Sequence, residues 1–414
     1  MGGRLKLTWT THGIIALSGG VDSAVAAAIC SDEKARPTGI FIRHRYQPTI
    51  APQDALRLFD SDHAPEVFDF APDGKLRHER WTPERFSLPA DCAAAVRVAL
   101  YLKMPFAIFD ADTVFSLVTD DFIKNYLAAE TPNPCVLCNR ILKFGALVRL
   151  AKTLNADYFA TGHYVSAVPA DDWLAKCEST APVPDFLQQQ SQNQVALLRS
   201  PFGKDQSYVL WNIDRNVLPF LRFPLGTWRK EQVRIDAAAR ALPVVDKPES
   251  QDLCFIPNGS HGDFIRQFGD GRPTDGEFVS LDGKALGRHA GYEKYTVGQR
   301  KGLGIGFGER TFVQRIDALS RSVILGPYES LARTKIRAKN ANWLLDVPFE
   351  EPFRCEVKVR YRNRPVAASV TALADGTIHA LLDEPRFGIA PGQSLVCYWQ
   401  DRLLGGGIIE PEKS

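Results

Sequence analysis

The sequence predicts an α/β protein with an N-terminal doubly wound parallel sheet, a small central domain and a C-terminal antiparallel β-barrel. Up to about residue 165, short apolar runs alternate with helical patterns, which is typical of a parallel sheet covered by helices. From about residue 311, short alternating runs are separated by turns such as Asp375-Gly376 and Pro391-Gly392, which favours a small barrel. A chain of 414 residues is long enough for two or three domains.

Composition places the chain among globular proteins that bury substantial cores. It is 45% hydrophobic and 24% charged, and its net charge of +2 neither favours nor excludes a nucleic-acid partner. No apolar run approaches the ~20 residues of a membrane span, and residues 1–11 lack a secretory apolar region. We therefore expect a cytoplasmic protein without a membrane partner, whose eight cysteines are reduced.

The predicted N-terminal domain, residues 1–213, contains the alternating elements. Strands are predicted at 13–17, 38–42, 66–70, 105–109 and 157–161. Helices are predicted at 23–29, 54–59, 91–102, 113–127 and 139–154. Ligands bind at the carboxyl ends of the strands in such sheets. Two segments, 18–23 and 161–164, follow strands and are therefore candidate site segments.

The remaining residues form a surface excursion and two smaller predicted domains. Pro, Asp, Gln and Ser dominate residues 167–194, which we interpret as a surface excursion before a strand at 195–198. The predicted central domain, 214–310, contains a helix at 230–241 and a glycine-rich turn region that does not fit a dinucleotide-binding pattern. The predicted barrel domain, 311–414, has strands at 312–316, 322–325, 353–361, 367–372, 378–382 and 394–398.

The segment Ser18-Gly19-Gly20-Val21-Asp22-Ser23 joins the first strand to the first helix. Its glycines let the backbone approach a phosphate, and free N–H groups at a helix start attract anions. Ser18 and Ser23 add hydroxyl donors, and Asp22 adds a carboxylate that suits Mg²⁺ on a nucleotide. An ordinary βα turn is the alternative interpretation, but the six-residue pattern favours a nucleotide site. It resembles the PP-loop of ATP pyrophosphatases, which cleave ATP between its α- and β-phosphates, and it lacks the Gly-Lys-Ser/Thr of a Walker A loop.

A second segment, 131–139, carries Cys135 and Cys138. Two prolines stiffen its start, and the helical pattern after it places Cys138 near a predicted helix N-terminus. The helix dipole and the cations Arg140 and Lys143 would favour a thiolate there. The two-residue gap would also let both sulfurs share a metal or a disulfide. A zinc site is disfavoured because no second Cys-x-x-Cys or His pair occurs. Cys254 alone would be interpreted as a buried strand cysteine.

Together, the motifs form an ordered series over nearly the whole chain that resembles the tRNA-specific 2-thiouridylases, the MnmA/TrmU family. The series comprises 18–23, 131–134, 138–139, 143–144, 160–164, 204–208, 248–255, 296–304, 360–362, 391–393 and 404–409. The resemblance implies ATP-dependent 2-thiolation of the wobble uridine in tRNA anticodons. It implies adenylation of uracil O2, with Mg²⁺, and then sulfur transfer that involves Cys138 and Cys254. A persulfide on Cys254 would come from a sulfur-relay or cysteine-desulfurase-type donor protein, and Cys138 would complete the exchange by attack or by forming a disulfide.

The resemblance also implies roles for individual residues, with Asp22, Cys138 and Cys254 as the catalytic set. The residues that would contact the nucleotide are Leu17, Ser18, Gly19, Gly20, Val21, Ser23, Ile42 and Gly162. Those that would touch the target base are Asn133, Pro134 and Cys135. Those that would contact tRNA are His163, Lys204, Asp205, Gln206, Arg360, Tyr361 and Gln393. Cations suit phosphates, and amides and aromatic rings suit unstacked bases.

The chain departs from the family pattern in ways that leave alternatives open. Position 135 is Cys where many members carry Asp, the residues after the second strand differ, and the 167–194 excursion is longer than usual. Thiolates of Cys135, Cys138 and Cys254 would suffice to hold a [4Fe–4S] cluster with one open iron, so a cluster mechanism stays beside the persulfide relay. Two further alternatives are a PP-loop amide-forming ligase and an RNA-binding protein with a relic nucleotide site.

Overall fold

The computed structural model describes most of the chain. The described residues are 13–32, 37–59, 64–177, 182–189, 194–249, 253–256, 260–304 and 310–412. The run 250–252, which precedes Cys254, and most of the glycine-rich region before residue 310 lie outside them. Within them, no helix is both long and apolar enough to span a bilayer.

The N-terminal part is built on a seven-stranded sheet that is parallel apart from one edge hairpin. Its first six strands are β1 Gly13–Ala16, β2 Pro37–Arg43, β3 Glu66–Phe70, β4 Leu76–Arg80, β5 Phe106–Asp110 and β6 Phe159–Ala160. The spatial order is β4-β3-β5-β2-β1-β6, and a later strand, Leu221–Arg222, completes the far edge. The central strand β1 is apolar and almost fully buried, as expected of a strand covered by helices on both faces. The predicted parallel sheet is confirmed.

Helices cover both faces of this sheet. They are α1 Val21–Asp32, α2 Pro52–Leu56, α3 Ala90–Tyr101, α4 Asp112–Leu127, α5 Pro134–Cys138 and α6 Leu147–Thr153. A π-helical segment, Asn139–Ala146, joins α5 to α6, so the predicted helix at 139–154 begins earlier and continues from α5. The small side chains of α1 allow close packing on the sheet, and all its alanines are buried.

The predicted surface excursion is ordered where the structure describes it. It contains β7 Val165–Pro169, α7 Ala170–Ala175 and α8 Asp185–Gln188, and it is followed by β8 Val195–Arg199. Trp173 of α7 donates a hydrogen bond from Nε1 to Asp401 over 2.9 Å and packs edge-on against Trp399. The excursion therefore docks on the C-terminal domain, which its polar composition did not predict.

Residues 214–249 pack with the parallel-sheet domain, although the sequence assigned them to the central domain. Strand β9 Leu221–Arg222 pairs with β6, and helix α9 Lys230–Ala239 follows. Val233 and Ala237 of α9 share one buried cluster with Ala24 and Ala27 of α1. The apolar face of α9 therefore completes the core beside the first helix.

The central unit begins at α10 His261–Phe268 and contains a four-stranded sheet. Its strands are β10 Gly276–Ser280, β11 Ala285–His289, β12 Phe312–Asp317 and β13 Ser322–Gly326, in the order β11-β10-β13-β12. The sequence assigned β12 and β13 to the barrel, but β13 pairs in parallel with β10 instead. Local alternation predicted both strands correctly but could not identify their partners.

The C-terminal domain is a closed antiparallel barrel of six strands. They are β14 Ala332–Trp343, β15 Pro352–Lys358, β16 Val366–Ala372, β17 Ile378–Phe387, β18 Ser394–Trp399 and β19 Arg402–Ile409. The pairing of β14 with β19 closes the barrel, and β19 also bridges to β8 of the β7–β8 hairpin. The predicted barrel is confirmed, and the hairpin extends its sheet into the N-terminal part of the chain.

Candidate active site

The loop after β1 has the close backbone approach that a phosphate site needs. Gly19 has a φ of +75°, and a Cβ there would lie 2.1 Å from the carbonyl oxygen of Asp91. Ser23 Oγ donates to the Gly20 carbonyl over 2.9 Å and accepts from Ser18 N over 3.1 Å. A Cβ on Gly162 would lie 3.0 Å from the backbone of Asp22 and Ser23. The strand end at 161–164 therefore abuts the loop, as the sequence predicts.

Asp22 lies at the centre of a cationic network beside this loop. Its carboxylate accepts hydrogen bonds from Tyr164 Oη at 2.7 Å, Lys204 Nζ at 3.1 Å and Lys230 Nζ at 2.5 Å. Desolvation alone would raise the pKa of Asp22, but the Lys230 and Tyr164 hydrogen bonds and the charge of Lys204 lower it overall. Asp22 is therefore ionised at neutral pH, the state that a carboxylate ligand of Mg²⁺ requires.

Two lysines beside this loop, Lys230 and Lys247, were not predicted from the sequence. Lys230 occupies the first turn of α9, and Lys247 donates from Nζ to the Gly19 carbonyl over 3.0 Å and to Asp91 over 2.5 Å. A lysine at a helix N-terminus opposes the helix dipole, so Lys230 carried a detectable signal of function. Nothing in the sequence near Lys247 pointed to the loop, because it reaches Gly19 only through the fold.

The remaining predicted nucleotide contacts lie close to this loop or at the end of the next strand. Leu17 and Val21 are buried on either side of the glycines, while Gly20 remains partly accessible. Ile42 lies near the end of β2, where its carbonyl accepts a hydrogen bond from Gln47 Nε2 over 3.2 Å. These positions are compatible with a nucleotide that extends from the loop across the end of β2.

Helix α5 presents Cys135 and Cys138 on neighbouring turns. Asn133 caps the helix by accepting a hydrogen bond from Cys135 N at Oδ1 over 3.2 Å, and Pro134 occupies its first turn. This capping is a local sequence effect, because Asn is a preferred cap and Pro suits the first helical position. Asn133 and Pro134, the predicted base contacts, thus also shape the helix that carries the thiols.

The structure brings Cys254 into electrostatic contact with both cysteines of α5. Burial, and then the neighbouring Cys138 and Cys135, raise the pKa of Cys254 to about 12, although its side chain reaches solvent. Desolvation by the surrounding atoms also raises the pKa of Cys138 to about 11 and raises that of Cys135, although Cys135 is exposed and Cys138 is partly exposed. Lys143 opposes the rise in all three thiols. Folding therefore brings Cys254 beside Cys135 and Cys138, although Cys254 lies 116 residues beyond Cys138 in the sequence.

The expectation of a stabilised thiolate at Cys138 is wrong. Cys138 is the last residue of α5 and continues into the π-helical segment, so no free helix N-terminus points at it. Arg140 directs its Nη1 to Asn212 Oδ1 over 3.1 Å. Burial therefore outweighs the single charge of Lys143, and the resting side chain is a thiol.

The donor geometry gives no support for a metal cluster at the three thiols. Among the described residues, no group of three His, Cys, Asp or Glu side chains is placed so that it could hold a metal ion. The residues as placed do not fit a [4Fe–4S] cluster, so no step is derived through one.

Three predicted tRNA contacts have structural partners close to the nucleotide loop. His163 is buried, and its Nδ1 lies 2.7 Å from Thr161 Oγ1. Gln206 Oε1 accepts from Tyr164 N over 2.9 Å, and Asp205 Oδ1 accepts from Ser207 N over 3.0 Å. These side chains shape the site, and their contact with tRNA stays a prediction. The predicted tRNA contact of Lys204 likewise stays a prediction beside its position at Asp22.

The predicted tRNA contacts of the barrel lie near the thiols. Tyr361 is 40% exposed and interacts electrostatically with Cys135. Arg360 Nη2 donates to the Val297 carbonyl over 2.6 Å and so links the barrel to the central unit. Gln393 Nε2 donates to the Thr131 carbonyl over 2.7 Å, just before the cysteine helix. The barrel edge therefore faces the thiols, with Tyr361 open to solvent.

Family models match most of the chain in three consecutive blocks. The tRNA methyl transferase HUP domain matches residues 75–258, and the tRNA methyl transferase PRC-barrel domain matches residues 262–327. The aminomethyltransferase beta-barrel domain matches residues 333–409. The second and third blocks correspond to the central unit and the six-stranded barrel. The first block begins just before β4, so it covers the later part of the parallel-sheet domain and not β1, β2, β3 or the loop after β1.

Three relatives that match along nearly their whole length share one name. The chain is 35% identical over 399 residues to the tRNA-specific 2-thiouridylase MnmA of Syntrophotalea carbinolica, covering 96% of this chain and 98% of that protein. It is 36% identical over 403 residues to the protein of the same name from Chloroflexus aurantiacus, covering 96% and 98%. A third, from Acidithiobacillus ferrooxidans, is 35% identical over 400 residues, covering 96% and 97%.

Proposed function

We propose a mechanism for this chain on the basis of its family, because the chain belongs to the tRNA-specific 2-thiouridylases, which are tRNA sulfurtransferases. The proposed reaction is ATP-dependent 2-thiolation of the wobble uridine in a tRNA anticodon. Its proposed setting is the cytoplasm, and its proposed sulfur source is a persulfide-carrying donor protein. Two of the matched domains are named for methyl transfer, but paired thiols beside a nucleotide loop suit sulfur transfer better.

A chain of neighbouring residues that links the nucleotide loop to the thiols supports this proposal. Gly162 packs on the backbone of Asp22, and the next residue, His163, interacts with Lys143. Lys143 acts in turn on all three cysteines. A uracil held at Cys135 and Cys138 would therefore lie between the site of ATP cleavage and the sulfur carrier.

The first proposed step activates the uracil. Its O2 attacks the α-phosphorus of ATP, and pyrophosphate leaves, so that O2 becomes part of a phosphate ester. Lys204, Lys230 and the loop N–H groups would stabilise the negative charge that develops on the phosphates, while Asp22 would hold Mg²⁺. AMP is a far better leaving group from C2 than an oxide, which is why the reaction needs ATP.

The second proposed step transfers sulfur. The terminal sulfur of a Cys254 persulfide attacks C2 and AMP departs with the former O2, which leaves C2 joined to Cys254 through two sulfurs. The Cys138 thiolate then attacks the Cys254 Sγ, releasing 2-thiouridine and forming a Cys138–Cys254 disulfide. An external dithiol must reduce this disulfide to the two thiols before the next cycle. Lys143 is placed to assist deprotonation of Cys138.

The test measures each product separately. Purified protein receives tRNA, Mg·ATP and a persulfide donor, and AMP, pyrophosphate and 2-thiouridine are quantified. We expect Cys254→Ser to stop thiolation but keep tRNA-dependent pyrophosphate release, whereas Asp22→Ala should stop both. Cys177→Ser, a partly exposed cysteine after helix α7 whose Sγ donates to Gln400 Oε1, is the control that should keep both. Incorporation of nitrogen instead of sulfur, or unchanged thiolation in Asp22→Ala, would contradict the proposal.

A further inference from the structure

Helix α5 carries a thiol, Cys135, that the proposed sulfur transfer leaves unused. Cys135 lies in the first turn of the helix, and Cys138 is its last residue. Residues three apart in an α-helix share one face, and their Cα atoms lie about 5 Å apart. That separation lies inside the range of about 4.4–6.8 Å that disulfides span. The backbone of α5 therefore already holds these two cysteines at a distance that suits a disulfide.

Cys254 completes a cluster of three thiols at this helix. It interacts electrostatically with Cys138 and Cys135, and Cys135 also acts on Cys138. Packing supports this placement, because Phe255 lies 5.2 Å from Phe122 of α4 between ring centroids, and α4 packs against α5. Each thiol therefore has the other two as neighbours. Cys135 and Cys254 are exposed, whereas Cys138 is only partly exposed.

We propose that Cys135 is a resolving thiol that frees Cys254 after each sulfur transfer. The proposal rests on the proposed function, in which release of 2-thiouridine leaves a Cys138–Cys254 disulfide. The Cys135 thiolate attacks Cys138 Sγ, so that a Cys135–Cys138 bond forms, the Cys138–Cys254 bond breaks and Cys254 leaves with the electron pair. Cys135 gives its proton to solvent, and Cys254 takes one up. One disulfide replaces another, so the exchange needs no oxidant or reductant.

The exchange separates recovery of the sulfur carrier from reduction of the protein. Desolvation, and then the neighbouring Cys138 and Cys135, raise the pKa of Cys254 to about 12. The released Cys254 is therefore a thiol at neutral pH, and a thiol attacks the new disulfide poorly. The external dithiol then reduces the Cys135–Cys138 disulfide and is itself oxidised to a disulfide. In Cys135→Ser an excess of that dithiol reduces Cys138–Cys254 directly, so thiolation continues.

The first test identifies the disulfide that remains after one turnover. Full-length protein carrying one persulfide per molecule receives tRNA and Mg·ATP without dithiol, and it is then quenched with acid and N-ethylmaleimide. Disulfide-linked peptides are quantified by mass spectrometry per 2-thiouridine formed. We expect Cys135–Cys138 to exceed Cys138–Cys254 severalfold in the unaltered protein, and only Cys138–Cys254 in Cys135→Ser. Cys177→Ser, which alters a cysteine outside the cluster, is the matched control and should keep the unaltered pattern.

The second test needs neither tRNA nor ATP. The full-length protein is equilibrated with mixtures of reduced and oxidised glutathione, quenched in the same way and mapped for disulfides. We expect Cys135–Cys138 to be the main disulfide in the unaltered protein and in Cys254→Ser. In Cys135→Ser the main disulfide should become Cys138–Cys254.

Two results would overturn the role of Cys135. One is 2-thiouridine formed together with a Cys138–Cys254 disulfide that persists in the unaltered protein. The other is a Cys135–Cys254 or Cys138–Cys254 bond as the main disulfide of the unaltered protein in glutathione, because the exchange would then not end at the helix. Absence of 2-thiouridine would refute the proposed function, while the glutathione measurement still decides the pairing of the thiols, so the two failures are distinguishable.

Discussion

Asp22 illustrates how neighbours determine the charge of one side chain. Burial favours its neutral form, yet hydrogen bonds from Lys230 and Tyr164 favour the carboxylate and lower its pKa. A lowered pKa in the folded state stabilises the fold above the unfolded pKa, and that contribution is lost as pH falls through the folded value. Asp22 therefore keeps its charge across the neutral range and offsets part of the positive charge of Lys204 and Lys230.

At the thiols, burial outweighs the neighbouring charge and raises the pKa. Replacing Lys143 tests this balance at Cys138. With a pKa of about 11, Cys138 is a thiolate in roughly one molecule in a thousand at pH 8. Its alkylation by iodoacetamide should therefore rise with pH up to about that value. Lys143→Gln removes the charge that lowers this pKa, so we expect roughly threefold to tenfold slower alkylation at pH 8. Lys152→Gln, an exposed position on α6, should leave the rate unchanged. Equal rates in both variants would mean that Lys143 does not act on the thiol.

Cys135 separates the two sulfur chemistries. A persulfide relay needs one thiol to carry sulfur and one to complete the exchange, so Cys135→Ser should retain most of the thiolation activity. Cys138→Ser should lose it. We expect protein purified without oxygen to be colourless and free of iron. Brown protein whose iron, labile sulfide and activity all disappear in Cys135→Ser would instead establish a cluster, because serine is a poorer ligand for iron.

At the scale of elements, the π-helical segment Asn139–Ala146 sets the position of Cys138. Asn139 Nδ2 donates to the Val209 carbonyl over 3.0 Å at the start of the segment. Near its end, a Cβ on Gly145 would lie 2.8 Å from the Arg140 carbonyl oxygen. The wide turn therefore depends on a glycine, and π-helical segments often occur at functional sites.

Gly145→Ala tests this dependence. In an ordinary helix the change stabilises by about 1 kcal/mol, but the contact with Arg140 should make it cost about 1–2 kcal/mol here and reduce thiolation. Urea unfolding of the two proteins gives the difference. Gly203→Ala is the control, because a Cβ there meets open space, and we expect a change within about 0.5 kcal/mol. A gain in stability for Gly145→Ala would show that the segment relaxes without strain.

Elements with a strong local pattern were predictable from the sequence, and the others were not. Buried strands such as β1 and β5 are continuous apolar runs, and helix α4 keeps a clear apolar face. Strand β4 was not predicted because it is polar and largely exposed at a sheet edge. Strand β19 was not predicted because it contains three consecutive glycines, which are unusual within a strand. The nucleotide loop and the cysteines were recognised from motifs, whereas the approach of Lys247 to Gly19 depends on long-range folding.

At the scale of the whole molecule, the segment after Gln206 inserts into the barrel. Tyr208 Oη donates to the Ser394 carbonyl over 2.9 Å, and Trp211 Nε1 donates to Ser394 Oγ over 2.9 Å. Asn342 of β14 donates to the Trp211 carbonyl over 2.8 Å. All these polar groups are buried or partly buried, so breaking the interface would leave them unpaired. These contacts therefore fix the barrel relative to the segment that follows Gln206.

Replacing Arg360 tests whether the barrel contacts tRNA. If its guanidinium contacts a phosphate, Arg360→Ala should weaken tRNA binding by about 1–2 kcal/mol and reduce the slope of log affinity against log salt by about one. Filter binding at several salt concentrations measures both quantities, and ATP binding should not change. Arg354→Ala is the control, because that arginine is exposed on the barrel and paired with Asp383 at 2.9 Å. Weaker binding with an unchanged slope would assign Arg360 only the structural role of its bond to Val297, and unchanged affinity would exclude it from the tRNA surface.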